Sequence, residues 1–474
     1  MNLQQKCKLH LPNAKIYSSS FAENSDGQAL LLSLEGRDFL AVSGNLCGQF
    51  TGKHITREKE NDALLCPLTH DNRLALNRNF PYTVPRALGK SCGTFGFGDR
   101  LGYANPMQLQ SLESTSFLPV LAQQSMRELS LMGRKYEQVI DVASWAVFRQ
   151  GWHHGYGADG DHLKTLQEVQ IALDAGCSMI TLDCSLALNQ QEGENNHNTY
   201  EKEDYIANDV VQALKLQFDE PSLKQLQEIY GGAIRFACEV FWQTISPSER
   251  EIDFELSVDE TENPTSLEAH YFIANELRRR NVELTSLAPR FVGEFEKAVD
   301  YKGNLKDFQE QLAGHAKIAN HFGHKLSLHS ASEKFSIFPI VAQATKGRCH
   351  VKTSGTSWLE AVECIAKADS TLFRDMFYIA LNHLEEALGH YDVSCRRESL
   401  PDIELIADED LPKLLEMNQE DTRQLMHITY GFILADQRLK ERIEMFIHNH
   451  RQLYDDEALD LYKRHLNSLY YPNI

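Results

Sequence analysis

The sequence has no run of about 18 apolar residues, so nothing in it predicts a membrane-spanning helix. The first residues, Met1–Lys15, carry no apolar stretch of the kind that marks a secretory signal, and the expectation is a cytoplasmic protein. Ten cysteines occur without a single CxxC pair, which argues against a disulfide framework and for reduced thiols. Positive charge is in deficit. With 47 Lys and Arg against 67 Asp and Glu, the formal net charge is −20. Nucleic acid and anionic membrane surfaces, both of which require a basic face, are therefore not expected partners. Gly93–Gly98 completes neither a GxGxxG fingerprint nor a P-loop, so no nucleotide cofactor is expected. GxSxG is absent as well, and with it the nucleophile elbow of the α/β-hydrolases. There are no internal repeats and no low-complexity tract.

What is present is an ordinary globular composition, 42% hydrophobic and 24% charged, in a chain of 474 residues. Residues 1–90 carry short alternating runs such as Ala29–Ser33 and Phe39–Ser43, broken by Gly, Asn and Pro, and read as a β-rich region. From Gly93 onward, strand-like runs alternate with amphipathic stretches. The strands fall at Gly93–Gly98, Phe117–Ala122, Gly155–Ala158, Met179–Asp183, Ile252–Val258, Val282–Leu287, Lys325–His329 and Cys349–Thr353. Helical periodicity marks Tyr136–Arg149, Leu163–Ala175, Ser266–Arg280, Leu305–Phe322 and Trp358–Ala366. Eight strand–helix units predict a closed (β/α)8 barrel, α/β in class, over residues 91–400. An insertion at about 189–250, opening on the acidic run Gln190–Asp204, follows the fourth strand, and residues 401–474 read as a helical extension on the barrel's outside.

The polar residues inside the strands carry the functional information. In Ile252–Asp259 the apolar set Ile252, Phe254, Leu256 and Val258 opposes Asp253, Glu255, Ser257 and Asp259. Lys325, Ser327 and His329 share one face, as do His350 and Lys352, and as do Thr181, Asp183 and Ser185. A barrel interior is ordinarily filled by Val, Ile and Leu; this one would hold ionisable groups, which are costly to bury unless paired or ligand-bound. His162, His329 and His350 fall at equivalent barrel positions, where three imidazoles, or two and a carboxylate, can hold a divalent metal with an open position. Each can also be a hydrogen-bonded core histidine. Asp161, Glu255 and Glu294 are the acid/base candidates, with pairing to Lys or Arg as the plainer role. Asp259 and Glu260 can cap the next helix or pair with a base. Arg100, Lys334, Arg348 and Lys352 could supply positive charge for an anionic substrate, or could be interior ion pairs.

Seven ordered runs, Phe95–Gly102, Ala122–Leu129, Gly155–Thr165, Ser257–Ser266, Ala288–Gly303, Lys325–Pro339 and His350–Ala361, resemble the tagaturonate epimerase family. The resemblance implies an isomerase that interconverts tagaturonate and fructuronate and depends on a divalent cation such as Zn, Mn, Co or Ni. It implies His162, His329 and His350 as ligands and Asp161 as the acid/base; Glu255 and Glu294 remain candidates from the strand pattern alone. The substrate-binding set expected at the strand ends is Asp99, Arg100, Gln124, Asp183, Lys334 and Lys352. Tyr103–Gln108, Gly160 and Cys184 depart from the family pattern and bear on which sugar is taken. A related sugar acid or a ketohexose as substrate, and an inactive sugar-binding barrel, are the competing readings. Assembly into oligomers is compatible with the sequence. The inverted carbon lies β to the ketone, which does not acidify its hydrogen. Metal-assisted retro-aldol cleavage and re-addition is therefore the expected chemistry.

Overall fold

The computed structural model describes residues 2–56, 62–189, 205 and 208–471; the acidic run Gln190–Asp204 lies outside the described residues. The chain begins with the helix Leu3–His10, which the alternating pattern of the N-terminal region did not predict. Asn2 caps it in a capping box with Gln5. Six antiparallel strands follow: β1 (Lys15–Ile16), β2 (Ala22–Asn24), β3 (Gly27–Leu34), β4 (Arg37–Ser43), β5 (Lys53–Thr56) and β6 (Ala63–Pro67). The order is β1-β3-β4-β6-β5, with β2 beside β3. Strand alternation covers both faces. Leu30, Leu32 and Ala41 pack on Leu3 and Cys7 of the first helix. Leu31, Leu40 and Val42 meet Leu76, Trp145 and Phe148, which ties this sheet to the barrel helix Tyr136–Gln150.

Eight parallel strands then close a barrel: β7 (Thr94–Phe97), β8 (Leu118–Ser125), β9 (Gly157–Leu163), β10 (Met179–Asp183), β11 (Asp253–Val258), β12 (Ser286–Pro289), β13 (Lys325–Leu328) and β14 (Cys349–Thr353). All eight predicted strands are found, with β9 extending five residues beyond its expected end and β12 starting four residues later. The helix Leu305–Phe322 has the predicted bounds, and Asn304 caps it.

The outward residues of the strands, among them Ile180, Leu182, Phe254, Leu256, Leu326, Leu328 and Val351, are all within 3% of complete burial under the helices. That apolar shell stabilises the barrel by about 25 cal/mol per Å² removed from water and allows the interior to be polar. The interior is layered by register. Deeper in the barrel, Lys325 Nζ donates to Thr94 Oγ1 (2.9 Å) and His350 Nδ1 lies 2.9 Å from the same hydroxyl. Nearer the mouth, Asp159, Thr181, Glu255, Ser286 and Lys352 converge.

The C-terminal segment packs against the barrel helices. The helix Arg451–Ser468 lies beside Asn105–Leu112 and Thr356–Ala368, with Gln108 Nε2 donating to Tyr462 Oη (2.9 Å). The same segment reaches the mouth: Trp358 Nε1 donates to Met426 O (2.8 Å), and the Glu333 amide donates to His465 Nε2 (2.9 Å). No helix among the described residues is long and apolar enough to cross a membrane.

Candidate active site

A bulge in β9 builds the centre of the site. Opposite β10, Gly160 pairs with Ile180 but Leu163 pairs with Leu182, so β9 carries one extra residue there. In a regular strand Asp161 and His162 would point to opposite faces. The bulge, with His162 at φ 53°, turns both side chains toward the barrel mouth. Across the barrel, His329 follows β13 and Asp259 follows β11. One ligand atom each from His162, His329 and Asp259 lie within 4.8 Å of one another. His329 Nδ1 is 3.1 Å from Asp259 Oδ2 and its Nε2 is 2.8 Å from Glu255 Oε1, while His162 Nδ1 is 3.0 Å from Asp161 Oδ1. Backbone strain gathers here: Ser330 and Glu333, in the loop after His329, also hold positive φ.

Lys352 stands at the centre. Its ammonium is 2.7 Å from both Asp159 and Asp161 and 3.1 Å from Glu255, and it also meets Thr181. Burial disfavours its charge, but the three carboxylates outweigh that and hold its pKa well above the usual value. Asp161 and Glu255 are likewise held well below the carboxylate range, burial being overcome first by Lys352. For Asp159 burial wins, and its carboxyl rises to about 6. His329 is raised to about 10, because Asp259 and Glu255 outweigh burial; His162 is raised by Asp161 against the same penalty. Four carboxylates thus face one ammonium and two imidazoles. With His329 protonated the cluster carries a net charge of −2, and with both imidazoles neutral, as ligands to a metal must be, −3. An excess of this kind, with two nitrogen donors and a carboxylate oxygen at one point, suits a divalent cation.

The expected sites divide. His162 and His329 come together, but Asp259 stands where His350 was expected. His350 is buried one layer deeper, paired in register with Ser327 and Thr94, and burial holds its pKa down at about 3. It lies on the same strand face as Lys352, two residues nearer the strand's start, and Lys352 takes the mouth. Asp161 and Lys352 line the cavity of about 310 Å³ above the cluster. Glu255 lies beneath it and holds His329, with Ser286 donating to it as well. Glu294 is on the rim, 56% exposed, 3.9 Å from Arg290.

Four of the six expected substrate contacts are committed within the protein. Asp99 accepts from the Gly102, Ala104 and Asn105 amides, and Gln124 Nε2 donates to Asp99 O; neither lines the cavity. Lys334 is fully buried, donating to the carbonyls of Glu296 (2.7 Å), Ser332 (3.2 Å) and Val299. Arg100 pairs with Glu128 (3.0 Å) under the Tyr430 ring, although its side chain borders a second cavity of about 260 Å³. Asp183 borders that cavity too, 3.0 Å from Lys164. Arg348, the remaining basic candidate, reaches Asn320 and Lys90 O (3.3 Å), away from both cavities.

Sequence reasoning missed the wall that completes the mouth: Arg127, Lys297, and His390–Asp392 from beyond the barrel. The motif runs Ala122–Leu129 and Ala288–Gly303 contained Arg127 and Lys297. Nothing in sequence spacing linked them to residues 390–392.

Residues 17–469 match the model of the tagaturonate epimerase family. The chain belongs to that family. It is accordingly an enzyme, an isomerase of the epimerase kind. It is 36% identical to the tagaturonate/fructuronate epimerase of Thermotoga maritima over 469 residues, covering 96% of this chain and 97% of that one. Among solved structures, the native fructuronate-tagaturonate epimerase of Cohnella laeviribosi superposes with a TM-score of 0.88 at 39% identity, and the same enzyme with one glycerol bound gives the same values. Each match covers 98% of both chains. The family relationship therefore includes the N-terminal sheet and the C-terminal segment as well as the barrel.

Proposed function

We propose that this epimerase interconverts D-tagaturonate and D-fructuronate, with a divalent cation held by His162, His329 and Asp259. The observation that carries the reading is the meeting of two imidazoles and a carboxylate, in an acidic cluster at a barrel mouth, in a member of this family. A cation bound there would supply Lewis acidity toward the ketone and its neighbouring hydroxyl. Zn, Mn, Co and Ni all suit such donors.

Asp161 is the proton acceptor in this reading. It lines the cavity and stays ionised beside Lys352, whereas Glu255 is enclosed and Glu294 solvated. The hydroxyl on the carbon β to the ketone gives its proton to Asp161. The bond between the α and β carbons breaks, its electron pair passing through the α carbon to the ketone oxygen, and an aldehyde forms. The aldehyde turns over, the bond re-forms on its other face, and Asp161 returns the proton. The enclosing carboxylates and Lys352 keep the two fragments in a preorganised polar site throughout. None of the ten cysteines is paired with another, which fits a cytoplasmic setting.

The test is to incubate each hexuronate with the purified enzyme and each of the four cations, and to follow products by NMR. The same equilibrium mixture is expected from both directions. Failure to interconvert the two acids with any of the cations would overturn the reading.

A further inference from the structure

Among the described residues, six lysine and arginine side chains border the two adjoining cavities at the mouth, and four of them have acidic partners. Lys352 has Asp159, Asp161 and Glu255; Lys164 has Asp183 (3.0 Å) and Glu260 (3.2 Å); Arg100 has Glu128 (3.0 Å); Arg290 has Glu294 (3.9 Å). Arg127 and Lys297 differ. Among the described residues neither makes an ion pair. The Lys297 ammonium donates to Ser330 Oγ (2.8 Å), and Arg127 donates to His390 O (3.3 Å) with its guanidinium 4.6 Å from the centre of the Tyr391 ring. Both side chains border both cavities.

We propose that Arg127 and Lys297 form the subsite for the substrate's carboxylate. The inference rests on the hexuronate reading above and adds which end of the sugar sits where. Two like charges held beside one cavity, neither in an ion pair among the described residues, repel each other. Burial, together with the fields of Arg100 and Arg127, outweighs those of Glu128 and Asp161 and holds the Lys297 ammonium below its ordinary pKa. An anion placed between them relieves that repulsion and gains two charge-assisted hydrogen-bonding partners. Ser330, which orients Lys297, is the neighbour of His329, so the anion subsite and the candidate metal ligand are held by one strained loop.

The orientation has a mechanistic consequence. In a hexuronate whose ketone lies at the other end, the carboxylate is carried by the fragment that becomes the aldehyde. That fragment must turn over between bond cleavage and re-addition. Gripping it by its far end lets the aldehyde rotate without leaving the site, which is the positional control that intramolecular re-addition requires.

The test compares tagaturonate with its uncharged primary amide on the wild type, Lys297→Met, Arg127→Met and Lys297→Arg. Loss of one charge-assisted contact is expected to lower kcat/KM for the acid about tenfold to hundredfold, mainly through KM. Turnover of the amide should change far less, and Lys297→Arg should recover most of the acid's KM. A general structural defect would depress acid and amide together, and that outcome overturns the proposal, as does an unchanged KM for the acid in both Met variants. A wild type active on tagaturonate whose variants keep their preference for the acid defeats this inference alone. A wild type inactive on tagaturonate defeats the hexuronate reading, and the inference with it.

Discussion

Replacing Lys352 by Met keeps the length of the side chain and removes the only ammonium among four carboxylates. In the wild type Lys352 is 3% exposed and its ammonium makes three ion pairs at 2.7–3.1 Å. Removing one partner of a buried ion pair costs about 3–5 kcal/mol, because the charge left behind stays desolvated and unpaired. With His329 protonated at neutral pH, as Asp259 and Glu255 hold it, the cluster would pass from −2 to −3. Proton uptake offsets part of the cost, beginning with Asp159, whose carboxyl already stands at about 6. Unfolding in urea at neutral pH with a chelator present, followed by tryptophan fluorescence, should therefore show Lys352→Met less stable by about 3–5 kcal/mol. Saturating divalent cation should narrow the gap, since it binds only the folded cluster and replaces the missing positive charge. A variant as stable as the wild type in chelator would refute the charge accounting from which the cation site is argued.

Three other outcomes follow from the same geometry. His270 lies 2.9 Å from both His315 and His324 in a buried row between helices. Burial holds all three down, His315 to about 4 and His324 to about 3, His270 further by its two neighbours. Unfolded histidines take protons below about pH 6.5. Stability is therefore intact above that pH and is lost as pH falls toward the folded values, at up to about 1.4 kcal/mol per pH unit for each histidine. His324→Gln should flatten the slope between pH 6 and pH 5 by about that amount in urea titrations. Gly355 sits at φ 74°, where a Cβ would meet His427 Cε1 at 2.6 Å and the Arg100 guanidinium at 2.7 Å. Gly355→Ala should cost about 1–3 kcal/mol by the same assay. Asp259→Asn should weaken divalent-cation affinity by more than about 100-fold in calorimetric titration, beyond what loss of a supporting hydrogen bond alone produces.

The barrel was legible because its strands announce themselves by period. Asp253, Glu255, Ser257 and Asp259 alternate with an apolar set, and the two sets are the interior and the helix-facing surface. The same alternation put Lys325, Ser327 and His329 inside. It could not assign depth. His350 and Lys352 share a face, and only the register of β14 against β13 and β7 shows that Lys352 reaches the mouth while His350 stays below. Nor could it show the bulge that lets adjacent Asp161 and His162 face the same cavity, because a bulge is a mismatch between two strands. Arg100 and Lys334 looked like substrate contacts because their partners lie elsewhere: Glu128 and Tyr430 enclose the first, and carbonyls of residues 296, 299 and 332 the second. Long-range neighbours decide whether a cation is spent within the fold or left for a ligand.

The most direct test of the account is proton NMR of tagaturonate turnover in D2O, run on chelated enzyme before and after a divalent cation is restored. Fructuronate is expected only once the cation is present, with the hydrogen on the inverted carbon retained from substrate. Epimerisation by the fully chelated enzyme, or deuterium at the inverted carbon, would contradict it.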